Sequence, residues 1–454
     1  MTWLVRKPDF YKTLLMLAVP IVLQNSLSMG VGLADNVMVG QLGETAVSGV
    51  MVANQVNNII AFLVMGISAA LVILAAQYWG KEDVESVKNI ISIAIRVTLA
   101  VGAFASVLMI FIPHLVLRIF TNEAAVIAEG VLYIRIIAFS YLFFCLTHTL
   151  IGAMRCVEVV RIGVVVSFST LIISVSLNYL LIFGNFGFPE FGVRGAAIAT
   201  LTARIIEAFI MVVYVRFVDK RLMLRFKDLL HTNVQLVKDF FKYGIPVVGG
   251  DVSWAAIGAL KVAVLGRMGE SAMAANSITV LLMQLVTVTV WSVAAACAVI
   301  IGKTVGSGDF DLVRQYTRTM QVIFVCMGVL AGLGIFALRD VFISIYNFTP
   351  YTQDMARQFM TIISISVVFS AYHAPCFVGI IRAGGDTKFV FIVDFLCSWL
   401  QVLPLTFIMA FVVQAPPWVV FLCIYSDQFY KWIIAAVKTN RFKWIKNLTR
   451  EKPA

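Results

Sequence analysis

The amino-acid sequence predicts an all-α integral membrane protein, with twelve transmembrane helices arranged as two pseudo-symmetric six-helix bundles. Hydrophobic residues make up 61% of the 454-residue chain and charged residues only 13%. This is more apolar surface than the core of a water-soluble domain could bury. The apolar residues occur in runs long enough to cross a bilayer, and the second half of the chain repeats features of the first. Lipid is therefore expected to be the main solvent of this chain.

Apolar runs of transmembrane length are separated by turns rich in Gly, Pro and Asp. The predicted helices span residues 10–37, 46–79, 90–111, 125–154, 163–183, 195–217, 241–265, 272–305, 320–338, 354–381, 389–411 and 418–437. One long polar connection, residues 219–238, is predicted to be a cytoplasmic linker. It divides the chain into an amino-terminal bundle, residues 1–218, and a carboxy-terminal bundle with a basic cytoplasmic tail, residues 239–454.

Basic residues gather in short segments between the apolar runs. A net charge of +11 could suggest a nucleic-acid partner, but anionic lipid head groups account for basic loops better. We therefore expect membrane lipid and no nucleic acid as a partner. The segments on one side hold Arg6, Lys7, Lys81, Lys88, Arg155, Arg161, Lys220, Arg221, Arg225, Lys227, Lys303, Arg314, Arg382, Lys388 and the tail 438–452, against Arg118, Arg194, Arg267, Arg339 and Arg357 on the other. The positive-inside rule then predicts a multi-pass protein of the plasma (inner) membrane with both termini cytoplasmic.

An internal repeat relates the two halves without a gap. At a shift of 226 residues, the aligned pairs are Pro20 and Pro246, Gly40 and Gly266, Gly43 and Gly269, Ala46 and Ala272, Gly80 and Gly306, and Asp83 and Asp309. At a shift of 227, Gly152 and Arg155 align with Gly379 and Arg382. The pattern indicates a duplicated six-helix unit. Because six is even, both copies insert the same way up, and the duplication predicts a cleft that is opened to one side of the membrane at a time.

Several short segments occur in a specific order along the whole chain. They are Pro20, Ala34–Asp35, Val39–Gly43, Asn178–Gly184, Pro189–Thr200 and Arg382–Thr387. In this order and spacing the chain resembles the MATE (multidrug and toxic compound extrusion) transporters. The resemblance implies two six-helix bundles that export small organic compounds, often cationic and amphipathic, in exchange for protons or sodium ions. No cofactor other than the coupling ion is expected.

The resemblance also implies a cation-coupling site in the first half. It places the carboxylate of the first helix at Asp35, an amide of the fifth helix at Asn178 and a hydroxyl of the sixth helix at Thr200, with Ser174 beside Asn178. In NorM-like members an acidic residue stands eight positions after the proline of the seventh helix. Trp254 occupies that position here, and Asp251, one helical turn earlier, is a possible substitute.

Physical chemistry supports a special role for Asp35. An ionised carboxylate near mid-membrane costs about 2.5–3.5 kcal/mol, so it requires a partner, a cavity or a proton. The alternative is a hydrated carboxylate at the outer end of the first helix. Pro20 frees one backbone carbonyl of the same helix and permits a bend that could couple to Asp35, or else a fixed kink.

Lys261 is the repeat counterpart of Asp35, so the two halves carry opposite charges at matched positions. It either neutralises Asp251, Asp394 or Asp427, or faces the cleft and favours substrates with some negative charge. In the sixth helix, Arg204 and Glu207 are three residues apart and are expected to pair with each other without a role in the site.

Polar residues recur on otherwise apolar helices of both halves. The candidates for lining a substrate cleft are Gln24, Asn54, Gln55, Asn58, Asp251, Lys261, Asn276 and Gln284. The alternative for each is helix packing or helix bridging.

The function predicted from these observations is secondary active export by alternating access, carried out by a monomer. A flippase for lipid-linked precursors from the same superfamily is the alternative. No catalytic constellation or metal-ligand spacing is found, so an enzyme and a metal site are not expected. In particular, Gly302-Lys303-Thr304 lacks the first glycine of a phosphate-binding loop, because Cys297 stands there.

Overall fold

A computed structural model describes residues 4–229 and 233–450, and within these ranges the secondary structure is helical. Twelve helices there are long and apolar enough to cross a membrane, which confirms the predicted fold class. They are α1 Pro8–Gly40, α2 Glu44–Gly80, α3 Val84–Phe111, α4 Ala124–Cys156, α5 Arg161–Phe183, α6 Val193–Val218, α7 Val234–Gly266, α8 Glu270–Gly306, α9 Phe310–Ser344, α10 Pro350–Arg382, α11 Thr387–Val412 and α12 Pro417–Arg441.

Several helices extend beyond the predicted apolar runs. The largest difference is α9, predicted at 320–338 and observed at Phe310–Ser344. Its first turn is capped by Asp309, whose side chain accepts a hydrogen bond of 3.0 Å from the backbone N–H of Leu312. The helix therefore begins in a polar segment, where hydropathy alone gives no signal.

The repeat seen in the sequence is also present in the helix limits. α1 and α7 each have 33 residues and contain one proline, Pro20 or Pro246. α2 and α8 each have 37 residues. The amino-terminal caps of α3 and α9 correspond as well, because Asp83 and Asp309 each accept from the backbone N–H three residues later. The first three helices of each half thus begin at equivalent positions.

The chain divides into two compact units. We call them the Asp35 unit, residues 19–79 and 83–244, and the Lys261 unit, which takes the residues up to Ala18, Gly80–Glu82 and the residues from Ile245 onward. The domain limits 1–218 and 239–454 stay a prediction. Residues 230–232 of the predicted connection lie outside the described residues.

Each unit has its own apolar core. In the Asp35 unit, buried side chains from α1 to α6 form one cluster that includes Val64, Ile134 and Ala197. In the Lys261 unit, buried side chains of α7, α8, α9, α10 and α12 form another cluster, in which the rings of Phe359 and Phe421 stack with centroids 3.9 Å apart. These cores hold the polar side chains described below in fixed positions.

The carboxy-terminal tail is packed into the Lys261 unit. Trp444 is completely buried, and a Cβ atom added at Gly384 would lie 2.2 Å from its ring. The backbone N–H of Lys446 donates to the Gly384 carbonyl at 2.8 Å. Asp386, in the loop between α10 and α11, forms ion pairs of 2.8 Å with both Lys438 and Lys446. The tail is therefore part of the fold of this unit.

Candidate functional site

Asp35 lies in the last two turns of α1 and meets two side chains of α5. Asn178 Nδ2 donates to Asp35 Oδ1 at 2.6 Å, and Ser174 Oγ donates to the same oxygen at 3.1 Å. Ser174 and Asn178 are four residues apart, so they share one face of α5. Each is only 1% exposed.

The second oxygen of Asp35 accepts no hydrogen bond from any residue that the structure describes. The amide oxygen of Asn178 is buried and likewise has no partner there. A carboxylate oxygen and an amide oxygen are both suitable ligands for a hard cation, and the carboxylate can also hold a proton. The arrangement can therefore take up one positive charge.

A cavity of about 440 Å³ opens beside Asp35. Its polar lining comes from α1, α2, α4, α5 and α6 and consists of Asp35, Asn36, Asn54, Gln55, Asn57, Asn58, Tyr133, Ser140, Tyr141, Asn178, Thr200 and Arg204. The amides of α2 form a connected row, since Asn57 donates to Asn54 at 3.0 Å and accepts from the Tyr141 hydroxyl at 2.7 Å. Among the predicted cleft residues, Asn54, Gln55 and Asn58 line this cavity.

Thr200 lies in the same cavity but does not bond to Asp35 within the described residues. Its hydroxyl donates to the carbonyl of Ala196 at 3.0 Å, a bond within α6. Tyr133 lies next to Thr200 and Asp35. Tyr133 could not be identified from the sequence, because a single tyrosine on an apolar helix does not distinguish a cavity from a packed core.

Gln24 and Pro20 lie elsewhere on α1. Gln24 is buried and accepts a hydrogen bond of 2.8 Å from Arg155 Nη2, and it is not among the residues that line the cavity. Pro20 stands one turn before it, in the interior of α1. Gln24 therefore joins α1 to the end of α4.

Arg204 and Glu207 form the expected ion pair, at 2.8 Å. The second oxygen of Glu207 accepts from the Thr170 hydroxyl at 2.5 Å. Arg204 also lines the cavity that contains Asp35, although the sequence assigned it no role in the site. Helix spacing identifies a partner for a charge, but it does not show which way the rest of the side chain faces.

The Lys261 unit contains a different set of charges. Asp251 accepts from Arg382 Nη1 at 2.9 Å, and Arg382, at the end of α10, is buried. Two of the other predicted cleft residues differ in burial, with Asn276 buried and Gln284 exposed, and Trp254 is 65% exposed.

Lys261 has no ion-pair partner within 4 Å among the described residues, where Asp251, Asp394 and Asp427 pair with other cations. The choice between neutralising an aspartate and facing the cleft stays a prediction. The ammonium of Lys261 lies 5.7 Å from the centre of the Tyr425 ring, a cation–π distance. Asp394 and Asp427 pair instead with Lys431, at 3.0 Å and 2.8 Å. The spacing of Asp427 and Lys431, four residues apart on α12, is the signal that could have identified this pair.

Comparison with known proteins gives matches over most of the chain. The MatE family model matches residues 20–180 and again residues 246–408. The probable multidrug resistance protein NorM of Thermotoga maritima is 25% identical over 403 residues, which is 88% of this chain and 86% of that protein. The uncharacterized transporter YisQ of Bacillus subtilis is 23% identical over 412 residues, covering 89% of this chain and 88% of that protein.

Solved structures share the fold. A crystal structure of MATE in the bent conformation aligns with a TM-score of 0.86 over 95% of both chains at 16% identity. A MOP superfamily transporter from Pyrococcus furiosus, described as having a binding pocket of reverse polarity, aligns with a TM-score of 0.86 over 97% of both chains at 16% identity. Since the family match covers both halves of the sequence, with the same repeat found in the helix limits, the chain belongs to the MATE family of membrane transporters.

Proposed function

We propose that this protein is a secondary active multidrug exporter, which moves organic and often cationic, amphipathic compounds outward by antiport against protons or sodium ions. The observation that carries the proposal is the environment of Asp35. One of its oxygens is held by two neutral donors, and the other has no protein partner among the described residues. The same carboxylate lines a cavity large enough for a small organic molecule.

An ion bound at Asp35 can drive transport if it is released on the other side of the membrane. One charge that moves down about 150 mV supplies roughly 3.5 kcal/mol. That free energy supports a concentration gradient of roughly a few hundred-fold for a neutral substrate. Asp35 is the coupling residue in this proposal, and Asn178, Ser174 and Thr200 support it with neutral oxygens or hydrogen bonds.

The substrate class rests on the cavity and on the relatives. The row of amides on α2 offers donors and acceptors to compounds of varied shape. The name of the Thermotoga maritima relative refers to multidrug resistance. We propose a monomer as the working unit.

The test is export from proteoliposomes under an imposed proton gradient and, separately, a sodium gradient. Asp35→Asn keeps the size of the side chain but cannot ionise, so ion-driven export should stop while the protein still inserts. Asp354→Asn is the control, because this carboxylate is exposed and its contacts, a 3.0 Å hydrogen bond from Gln358 and a 3.9 Å contact with Arg357, lie away from the cavity. Wild-type export by Asp35→Asn under both gradients would contradict the proposal.

We also propose that both termini and the 219–238 connection face the cytoplasm of a cell whose plasma membrane holds the protein. In a cysteine-free background, Arg225→Cys should resist a membrane-impermeant thiol reagent applied outside intact cells. Arg118→Cys, in a segment of the opposite side, should react. Labelling of residue 225 from outside would reverse the proposed orientation.

A further inference from the structure

The side chain of Arg204 is fixed in position by its neighbours. Glu207 accepts its hydrogen bond at 2.8 Å, and Glu207 is itself anchored by Thr170 at 2.5 Å. The guanidinium lies over the ring of Phe144, 4.9 Å from its centre. These contacts hold the planar guanidinium group on two sides, so its remaining surface has a defined direction.

Most of the hydrogen-bonding capacity of Arg204 is unused by the described residues. A guanidinium carries five N–H donors, and the bond to Glu207 Oε2 is the one that the described residues accept. Arg204 also lines the cavity, and its side chain is 29% exposed. A fixed charged donor that faces a cavity is suited to a carboxylate or another anionic group of a ligand.

Asp35 faces the same cavity, and the two charges do not pair. The ion pairs of the described residues join Arg204 to Glu207 and leave Asp35 without a cationic partner within 4 Å. A negative and a positive group are thus both open to one space of about 440 Å³. Amides such as Asn54 and Asn58 line that space and can bond to the polar parts of a ligand.

We propose that Arg204 binds an acidic group of the transported compound, so that this cavity favours zwitterionic organic compounds, with the cationic group near Asp35 and the acidic group at Arg204. The inference rests on the proposed function, because it assumes that the transported compound binds in this cavity. Glu207 and Thr170 are positioning residues for Arg204. Arg204 forms its ion pair with Glu207 and none within 4 Å with Asp35, so both groups can still be reached from the cavity.

A matched pair of fluorescent xanthene dyes tests the inference by equilibrium binding to the purified protein in detergent, without an ion gradient. One dye is the zwitterion with a free carboxylate, and the other is its cationic ester. The wild-type protein should bind the acid more tightly than the ester. Arg204→Gln should weaken binding of the acid roughly tenfold or more, by loss of a charge-assisted hydrogen bond, and change binding of the ester by less than about twofold.

Two further variants control for folding and for charge in general. Arg204→Gln combined with Glu207→Gln removes both charges of the pair and leaves no buried carboxylate without a partner, and it should give the same selective loss. Arg216→Gln removes an exposed arginine of α6 that does not line the cavity, and it should leave both affinities unchanged.

The inference is overturned if wild type binds neither dye, if it binds the ester as tightly as the acid, or if the Arg204 variants lose both dyes equally at an unchanged melting temperature. Failure of the proposed function would give a different result. The Arg204 variants would still bind the acid dye more weakly than the wild type does, but wild-type proteoliposomes would export neither dye under a proton or a sodium gradient.

Discussion

The amide of Asn178 donates a 2.6 Å hydrogen bond to Asp35, while its own oxygen is buried without a partner among the described residues. Ser174 shares the same acceptor at 3.1 Å, and Thr200 bonds instead to a backbone carbonyl of its own helix. Asn178 therefore makes the shortest hydrogen bond to the carboxylate, Ser174 a longer one and Thr200 none. We expect the effects of substituting these three residues to follow the same order.

Asn178→Ala should impair coupling most, Ser174→Ala less, and Thr200→Ala least. A hydrogen bond to a charged group contributes about 1.5–3 kcal/mol, so the half-saturating sodium concentration of a sodium-driven exporter should rise roughly ten- to a hundredfold for Asn178→Ala. This half-saturating concentration is measured as export from proteoliposomes over a series of sodium concentrations. Thr202→Ala is the matched control, because its hydroxyl makes the same kind of backbone bond, to Ile198 at 2.8 Å, away from the cavity. An effect of Thr200→Ala as large as that of Asn178→Ala would refute this ranking.

Breaking the Asp251–Arg382 pair should destabilise the Lys261 unit. The side chains are only 24% and 6% exposed, and removing one partner of a buried pair leaves an uncompensated charge at a cost of about 3–5 kcal/mol. Asp251→Asn should therefore lower the thermal stability of the purified protein clearly, and adding Arg382→Gln should restore much of the loss. Asp311→Asn breaks a pair whose side chains are 68% and 52% exposed, so it should cost at most about 1 kcal/mol. Equal melting temperatures for Asp251→Asn and Asp311→Asn would show that Asp251 does not have this structural role.

Lys431 should matter more for stability than Lys261. Lys431 is the cation that pairs directly with Asp394 and Asp427, whereas Lys261 makes no direct pair within the described residues. Lys431→Met should therefore unfold at a much lower temperature, and adding Asp427→Asn should recover part of the loss. Lys261→Met removes a similar charge and should have a smaller effect. A lower unfolding temperature for Lys261→Met than for Lys431→Met would mean that Lys261 is the main cation that neutralises these aspartates.

Docking of the tail should be insensitive to pH near neutrality. Burial raises the pKa of Asp386, but hydrogen bonds and charges from Lys438 and Lys446 outweigh it and hold the pKa below its ordinary value. A carboxyl whose pKa is lower in the folded than in the unfolded state stabilises the folded state. This contribution is complete above the unfolded-state pKa, near 3.9. It is lost as the pH falls through the lower folded-state pKa. Hydrogen exchange of the backbone around Trp444, corrected for intrinsic rates, should therefore stay constant from about pH 8 to 5, and Asp386→Asn should increase it throughout. A steep rise for wild type between pH 7 and 5 would contradict this account.

The sequence was sufficient for the helices and for the repeat, because hydropathy and turn residues are local signals. The candidates Asn178, Ser174 and Thr200 came from the family resemblance alone, whereas Asp35 was also indicated by the cost of an ionised carboxylate in the membrane. The partners of the charged residues were harder to predict. Arg382 is 131 residues from Asp251, and Lys431 is 37 residues from Asp394, so the pairs depend on how the helices pack. Arg204 was paired correctly with Glu207 from spacing alone, but the cavity beside it is formed by five helices together.

The buried Trp444 has a consequence for how the protein is made. The loop between α10 and α11 is complete only when Trp444 packs on Gly384 and Lys446 reaches Asp386. Both tail residues follow α12 in the chain, so this face of the Lys261 unit can finish folding only after the twelve described membrane helices have been translated. A stop codon just before Trp444 would thus leave every membrane-spanning helix in place and still produce an incompletely folded protein.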